Sequence, residues 1–265
     1  MTRMALAGLL WLLAISVGAA NAAAEAVADA LLRAYPDHLV GVEGSGSEAA
    51  LVWKDGMRMP LGAGAEKPLD AWLANPDLID ILRFPYPAGD VAAPPLRDHD
   101  PGRARPTAFF QKMYGDCTKA EVLKQLVDVV WLPTRANQKL KATSINGVAA
   151  RLQAISDALD KLPGSFDVYL KPSAGTYACR PIAGTSSPSA HGLGIAIDVS
   201  TRHAHYWRWS KGGVDAYQNR IPLEIVRIFE AHGFIWGGKW WHYDTMHFEY
   251  RPELLPPTAA MPKAP

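Results

Sequence analysis

Two short stretches hold the residues best suited to chemistry. In "SAHGLGIAIDVS", Ser189 to Ser200, His191 and Asp198 stand seven residues apart with little but glycine, alanine and isoleucine between them. In "HYDTMHFEY", Asp244 precedes His247 by three. Side chains alternate along a strand, so Ile195, Ile197 and Val199 face one way and Gly194, Ala196, Asp198 and Ser200 the other. The second stretch sends Met246, Phe248 and Tyr250 inward and leaves His247 and Glu249 on the opposite face. The small residues before Asp198 leave its strand open to the close approach of a ligand. Taken alone, Asp198 reads equally well as a carboxylate satisfied by loop amides, and His191 as a surface histidine. As neighbours, the two strands would bring His191, Asp198 and His247 to one point, a three-ligand zinc set with an open fourth position. Zinc there lowers the pKa of a bound water from about 15.7 to about 7. Asp244, the carboxylate not used as a ligand, is then the candidate general base.

The pair of motifs resembles a known family. "SAHGLGIAID" fits Ser-x-His-x-x-Gly-x-Ala-x-Asp and "DTMH" fits acid-x-x-His, both patterns of the zinc D-Ala-D-Ala carboxypeptidase and L-alanyl-D-glutamate endopeptidase family. The resemblance covers roughly Cys117 to Glu249. It implies His191, Asp198 and His247 as ligands of one zinc ion, Asp244 as catalytic base, and a Hedgehog/DD-peptidase type of fold. Aspartate at the acid position resembles the cell-wall endopeptidase branch more than the dipeptidase-like one, which usually carries glutamate. The family also places an arginine ahead of the first motif, in a sequence resembling Ser-Gly-Tyr-Arg. Here "GTYACR" offers Arg180, with Cys179 inserted beside it, as a catalytic residue that stabilises the oxyanion. Ser189 is implied near the substrate's carboxylate, although a turn-stabilising hydroxyl is the competing reading. Six of the eight histidines and five of the nine tryptophans follow residue 190. Of the histidines outside the ligand set, His242 is the one expected to touch substrate, with His203 and His205 left at the cleft or surface.

The elements that position these residues read as α+β, with helices followed by separated short strands. Helices are predicted at "EAVADALLRAY", at "TKAEVLKQLVDVV" with Thr118 and Glu121 as a capping box, at "NGVAARLQAISDALDKL" with Asn146 as cap, and at "IPLEIVRIFEAHG". Asp55-Gly56 marks a hairpin, and "FDVYLK", "GIAIDVS" and "MHFEY" read as strands. The segment from Pro85 to Pro106, dense in proline and charge, reads as an extended connection. The expected organisation is a signal peptide over 1–22, an N-terminal extension over 25–105, a zinc peptidase domain over 106–252 and a disordered tail over 253–265.

Composition is that of an ordinary globular protein, 49% apolar and 20% charged. One arginine followed by an apolar run and small residues reads as a secretory signal cut after Ala22 or Ala24. An N-terminal membrane anchor is the alternative. Removing residues 1–22 takes away one positive charge, bringing the formal charge from +1 to 0, so bulk charge points to neither nucleic acid nor an anionic membrane. Export, to periplasm or outside the cell, permits a disulfide between the two cysteines, Cys117 and Cys179, which are expected to pair rather than stay as free thiols. The leading expectation is an exported zinc peptidase acting on peptidoglycan stem peptides, with no stable membrane insertion after cleavage. A non-catalytic zinc-stabilised module of the same fold, binding wall peptides or a protein partner, is the rival, and the complete ligand and base set argues against it. A zinc peptidase for ordinary proteins is a third reading.

Overall fold

Alternation of apolar and polar residues builds the sheet that matters most. In the computed structural model, which describes residues 22–90, 94–182, 185 and 187–257, strands β6 (Ala196–Asp198), β7 (Phe234–Trp236) and β8 (His247–Tyr250) form an antiparallel sheet in the order β6-β8-β7. Its register sets Asp198 directly opposite His247 and Ala196 opposite Glu249. On the apolar face Ile197 and Phe248 are fully buried, and Phe248 stacks on Phe229 with centroids 3.8 Å apart. Phe229 belongs to α6 (Leu223–Ala231), which packs on β7.

The opposite face is covered too, which corrects the expectation of an open strand. Ala196 and Ser200 are each 2% exposed. A Cβ on Gly194 would lie 2.9 Å from a Leu126 methyl and 3.1 Å from the Thr143 nitrogen, and Gly194 has φ +71°. Its smallness serves the neighbouring sheet, not a ligand. That sheet pairs β4 (Leu126–Trp131) with β5 (Gln138–Thr143) and carries α4 (Val148–Leu159) on one face. Val148, Leu152, Ile155 and Leu159 make the helix's buried stripe.

Several local expectations fail for identifiable reasons. The helix expected from Thr118 onward is two 3-10 turns, Cys117–Lys119 and Val122–Gln125, followed by β4. The cap lies two residues earlier than expected: Asp116 accepts from the Thr118 nitrogen, and Glu121 accepts from the Asp116 nitrogen. Ala120, at φ +59°, ends the turn, and the β-branched run that follows pairs over six positions with β5. "FDVYLK" is helical, as a turn and α5 (Asp167–Leu170), where Asp167 binds Lys171 at 2.7 Å with helical spacing and Arg135 at 2.6 Å. Asn146 does not cap α4; Gly147 holds that position at φ +66°, and the Asn146 amide donates to the Tyr114 hydroxyl.

Toward the N-terminus, helix α1 over 22–34 is followed by the sheet β1 (Leu39–Glu43), β2 (Ala50–Trp53), β3 (Arg58–Pro60), in that order, with the hairpin turn at Asp55-Gly56. Short α2 (Leu69–Ala74) follows, and α3 (Thr107–Tyr114), which has no counterpart among the expected elements, leads toward Cys117. One buried apolar cluster extends from Ala24 to Leu254 and includes residues of all three sheets. The described residues of the proline-rich connection lie against it as a strap. Tyr86 donates to Glu230, Trp240 Nε1 donates to the Pro101 carbonyl at 2.6 Å, and Arg251 donates to the carbonyls of Gly102 and Ala104. The disordered tail expected from 253 does not begin there, because Glu253 is buried and accepts from the Tyr35 hydroxyl at 2.7 Å. Residues 258–265, and the signal expected over 1–22 except its last residue, lie outside the described residues. Among the described residues, no helix is long and apolar enough to cross a membrane. The α+β expectation is met at the level of small antiparallel sheets with helices packed on them.

Candidate metal centre and cleft

His191 sits on a 3-10 turn, Ala190–Leu193, whose N-cap is Ser189: the serine Oγ accepts from the His191 nitrogen. The imidazole Nδ1 donates to the Thr176 carbonyl, which turns Nε2 toward Asp198. Asp198 is held through its backbone: its nitrogen donates to the Gly175 carbonyl, and its own carbonyl accepts from Ala174 and from Ser173 Oγ. His247 arrives across the strand pair, with Nε2 bound to Glu249 at 2.9 Å.

Three donor atoms converge. His191 Nε2 lies 3.2 Å from Asp198 Oδ1 and 3.2 Å from His247 Nδ1, and His247 Nδ1 lies 3.0 Å from Asp198 Oδ1. Tetrahedral ligands about 2.0–2.1 Å from zinc stand roughly 3.3 Å from one another, so the triangle fits such an ion with little adjustment. Each histidine also has its far nitrogen oriented by a carbonyl or carboxylate, as ligating imidazoles require. Burial works to raise the Asp198 carboxyl, but the two imidazoles more than reverse this and hold it far below the usual carboxylate range. Burial lowers the His247 pKa, and the carboxylates of Asp198 and Glu249 on its two nitrogens push it up to about 10. A cation at Nδ1 would take the place of that proton.

Asp244 stands beside the triad. Its Oδ1 is buried without a hydrogen-bond partner among the described residues. Burial, then the negative charge of Asp198, pushes its pKa up to about 6, while His247, His191 and Arg103 act the other way. An orphaned carboxylate oxygen next to three converging ligands is poised to accept a proton from a molecule bound there.

These residues line one cleft of about 210 Å³, together with Arg180, Ser189 and His242. All seven residues expected at the site thus share one space, although only Arg180 is exposed. His203 instead lies against Tyr169, and neither it nor His205 lines the cleft. A larger cavity of about 450 Å³ is bounded by α1, α6 and the C-terminal segment, but its one acid, Glu230, is paired with Lys239 and it gathers no ligand set.

The disulfide forms as expected, closing 62 residues between Cys117 and Cys179. It does more than tether Arg180. A Cβ on Gly192 would lie 3.2 Å from Cys117 Sγ, so the bridge packs against the turn that bears His191. A Cys117→Ala/Cys179→Ala chain is expected to lose roughly 4 kcal/mol of stability on the chain-entropy model. Thermal unfolding should show a midpoint roughly 10 °C lower, and an unchanged midpoint would count against the tether.

Four contributors escape sequence reasoning. Glu249 was placed on the ligand face but given no role; it binds His247, Arg105 and Arg251. Asp100, Arg103 and Arg105 come from the strap. Asp100 is fully buried and accepts from both the backbone nitrogen and Nδ1 of His242, fixing that ring at the cleft wall. The available signal was the charge density of "RDHDPGRARP", which in a proline-rich run reads as a solvated connection.

No curated protein and no solved structure matches the chain. Residues 183–250, the segment carrying all three candidate ligands and Asp244, match the family model described as D-alanyl-D-alanine carboxypeptidase, and in this segment the chain is similar to peptidases of that family.

Proposed function

We propose that the protein is an exported zinc metallopeptidase that hydrolyses a peptide bond in peptidoglycan stem peptides. The observation that carries this reading is the convergence of His191, Asp198 and His247 within hydrogen-bond distance of one another, with the unpartnered Asp244 oxygen in the same cleft. The family match over 183–250 supports the peptidase class. When bound, zinc supplies Lewis acidity and makes hydroxide available near neutral pH. Asp244 takes the proton of the attacking water on Oδ1 and returns it to the amine that leaves. Arg180 faces the developing oxyanion from the rim, and the Cys179 bridge limits how far its loop can move. Ser189 and His242 border the substrate's path.

Purified wall fragments incubated with the chain from residue 23 onward, and weighed before and after, test the reading. Loss of a defined amino acid or peptide that stops with chelator and returns with added zinc is the expected result. Products that are insensitive to chelator, or no products at full zinc occupancy, would overturn it.

A further inference from the structure

The tryptophans around the cleft differ in what covers them. Trp240 is buried, with the Arg103 and Arg105 guanidinium groups over its ring. Trp207 has the Arg208 guanidinium 4.4 Å above its ring and the His242 ring 4.8 Å away. Trp209 is 61% exposed; among the described residues its one ring contact is edge-to-face with Tyr206 at 5.4 Å, and no cation lies over it. Among the described residues it is also the only large apolar side chain that is exposed and borders the cleft. An indole left in water forgoes the gain that burial would bring, and a partner with a matching flat surface recovers it on binding.

The loop beneath Trp209 is fixed to the segment that bears Asp244. The Trp207 nitrogen donates to the Tyr243 carbonyl at 3.0 Å, and Tyr206 pairs with Asp244 as an isolated antiparallel bridge. The Trp209 nitrogen closes a turn onto the Tyr206 carbonyl at 2.9 Å. Beyond it, the Tyr243 hydroxyl donates to the Ala216 carbonyl at 2.7 Å and so accepts from Ser210 Oγ at 2.6 Å. A side chain with two torsions on such a support loses little freedom when it binds, and its backbone stays in register with Asp244.

At about 210 Å³ the cleft is smaller than pockets that engulf a whole ligand, which run to about 300–1,000 Å³. Only the residues beside the cut bond fit inside, so the rest of a wall substrate runs over the rim where Trp209 stands. Stem peptides carry small and charged side chains, none with a broad, flat apolar face. The N-acetylated sugar from which such a peptide hangs has one: a pyranose presents a sheet of C–H bonds whose partial positive charge suits the negative face of an indole. Its hydroxyl and acetamido oxygens accept hydrogen bonds, and Arg208 and Lys211, both exposed beside Trp209 in the chain, are donors. We propose that Trp209 is the stacking plate for a sugar ring of the wall glycan. This inference rests on the peptidase reading of the cleft and extends its substrate from the stem peptide to the stem peptide still joined to its sugar.

Two substrates that differ only in the sugar test the assignment: a muramyl pentapeptide, and the same pentapeptide with the lactyl group alone at its amino end. Hydrolysis is compared for the wild type, Trp209→Phe, Trp209→Leu and Trp209→Ala. Binding of the same two compounds is measured by calorimetry in an Asp244→Asn background, with and without Trp209→Ala. The wild type is expected to favour the muramyl compound by about 5- to 30-fold in kcat/KM, mostly through KM. Trp209→Ala and Trp209→Leu should bring that ratio close to 1, Trp209→Phe should fall between, and calorimetry should repeat the contrast. Equal losses on both substrates in Trp209→Ala would mean that the ring touches the peptide or only props Tyr206, and would overturn the proposal. A wild type without preference for the sugar would overturn it too, as would a leucine variant as selective as the phenylalanine one, since leucine is apolar but has no plane. If hydrolysis is absent while Trp209-dependent, sugar-selective binding persists, the peptidase reading fails and the plate stands. If selective binding is absent too, the plate fails as well.

Discussion

An Asp244→Ala chain should keep its zinc and lose its hydrolysis, with kcat falling by about 10²–10⁴-fold, the range that a positioned general base contributes. Metal content by elemental analysis and turnover of a wall peptide are the two measurements. The direction of the pH dependence follows from the site. A base acts when ionised, so kcat/KM should rise with pH through the Asp244 pKa and level off above it. Burial and the Asp198 charge set that pKa at about 6, and a cation held by the neighbouring triad pulls the other way. The acid limb should therefore fall at or below about pH 6, and it should vanish in Asp244→Ala. A variant that retains turnover with the limb intact would remove Asp244 from the mechanism.

Glu249→Gln should be the most destabilising single change near the site. Glu249 is fully buried and accepts from Arg105 at 3.0 and 2.6 Å, from Arg251 at 3.1 Å and from His247 Nε2 at 2.9 Å. Removing its charge leaves Arg105 without its anion and takes away one of the two carboxylates that pair with the fully buried Arg251, Glu253 being the other. Breaking a buried ion pair from one side costs about 3–5 kcal/mol. The same change puts a neutral amide in place of the carboxylate at the far nitrogen of His247, and weakening such a support lowers metal affinity by about 10- to 100-fold. Burial works to raise the Glu249 carboxyl, but Arg105, His247 and Arg251 hold it well below the usual range. A depressed carboxyl stabilises the fold fully above its unfolded pKa of about 4.3, and that contribution is lost as pH falls through the folded value. Urea unfolding should thus separate wild type and variant most at neutral pH, and the gap should narrow below about pH 4. A gap that widens with acid would contradict this account.

How far the site could be read in advance depended on the range of each interaction. His191, Asp198 and His247 were legible as candidate ligands because few residue types ligate zinc, and because the alternation in "GIAIDVS" and "MHFEY" separates their apolar residues from their polar ones. The Asp55-Gly56 hairpin and the stripe of α4 were legible for the same reason, since turn chemistry and helical spacing act over a few residues. Leu126–Trp131 was not, because "TKAEVLKQL" carries local helix signals that pairing with β5 overrides. Gly194 was misread for a related reason: its contact is with Leu126 and Thr143, residues that sequence order does not bring near it.

The amino-acid sequence by itself thus pointed to the candidate ligands, the candidate base and the local elements that bear them, all of which follow from side-chain chemistry and short-range periodicity. Only the tertiary structure decided that Asp198 faces His247, that Glu249 bridges His247 to two arginines, and that a proline-rich strap delivers Arg103 and Arg105 to the cleft and sets Asp100 behind His242. The physical reason is distance along the chain. Asp100 meets His242 across 142 residues and Arg105 meets Glu249 across 144. Such contacts come from burying one shared core, and no local pattern names the partner of either residue.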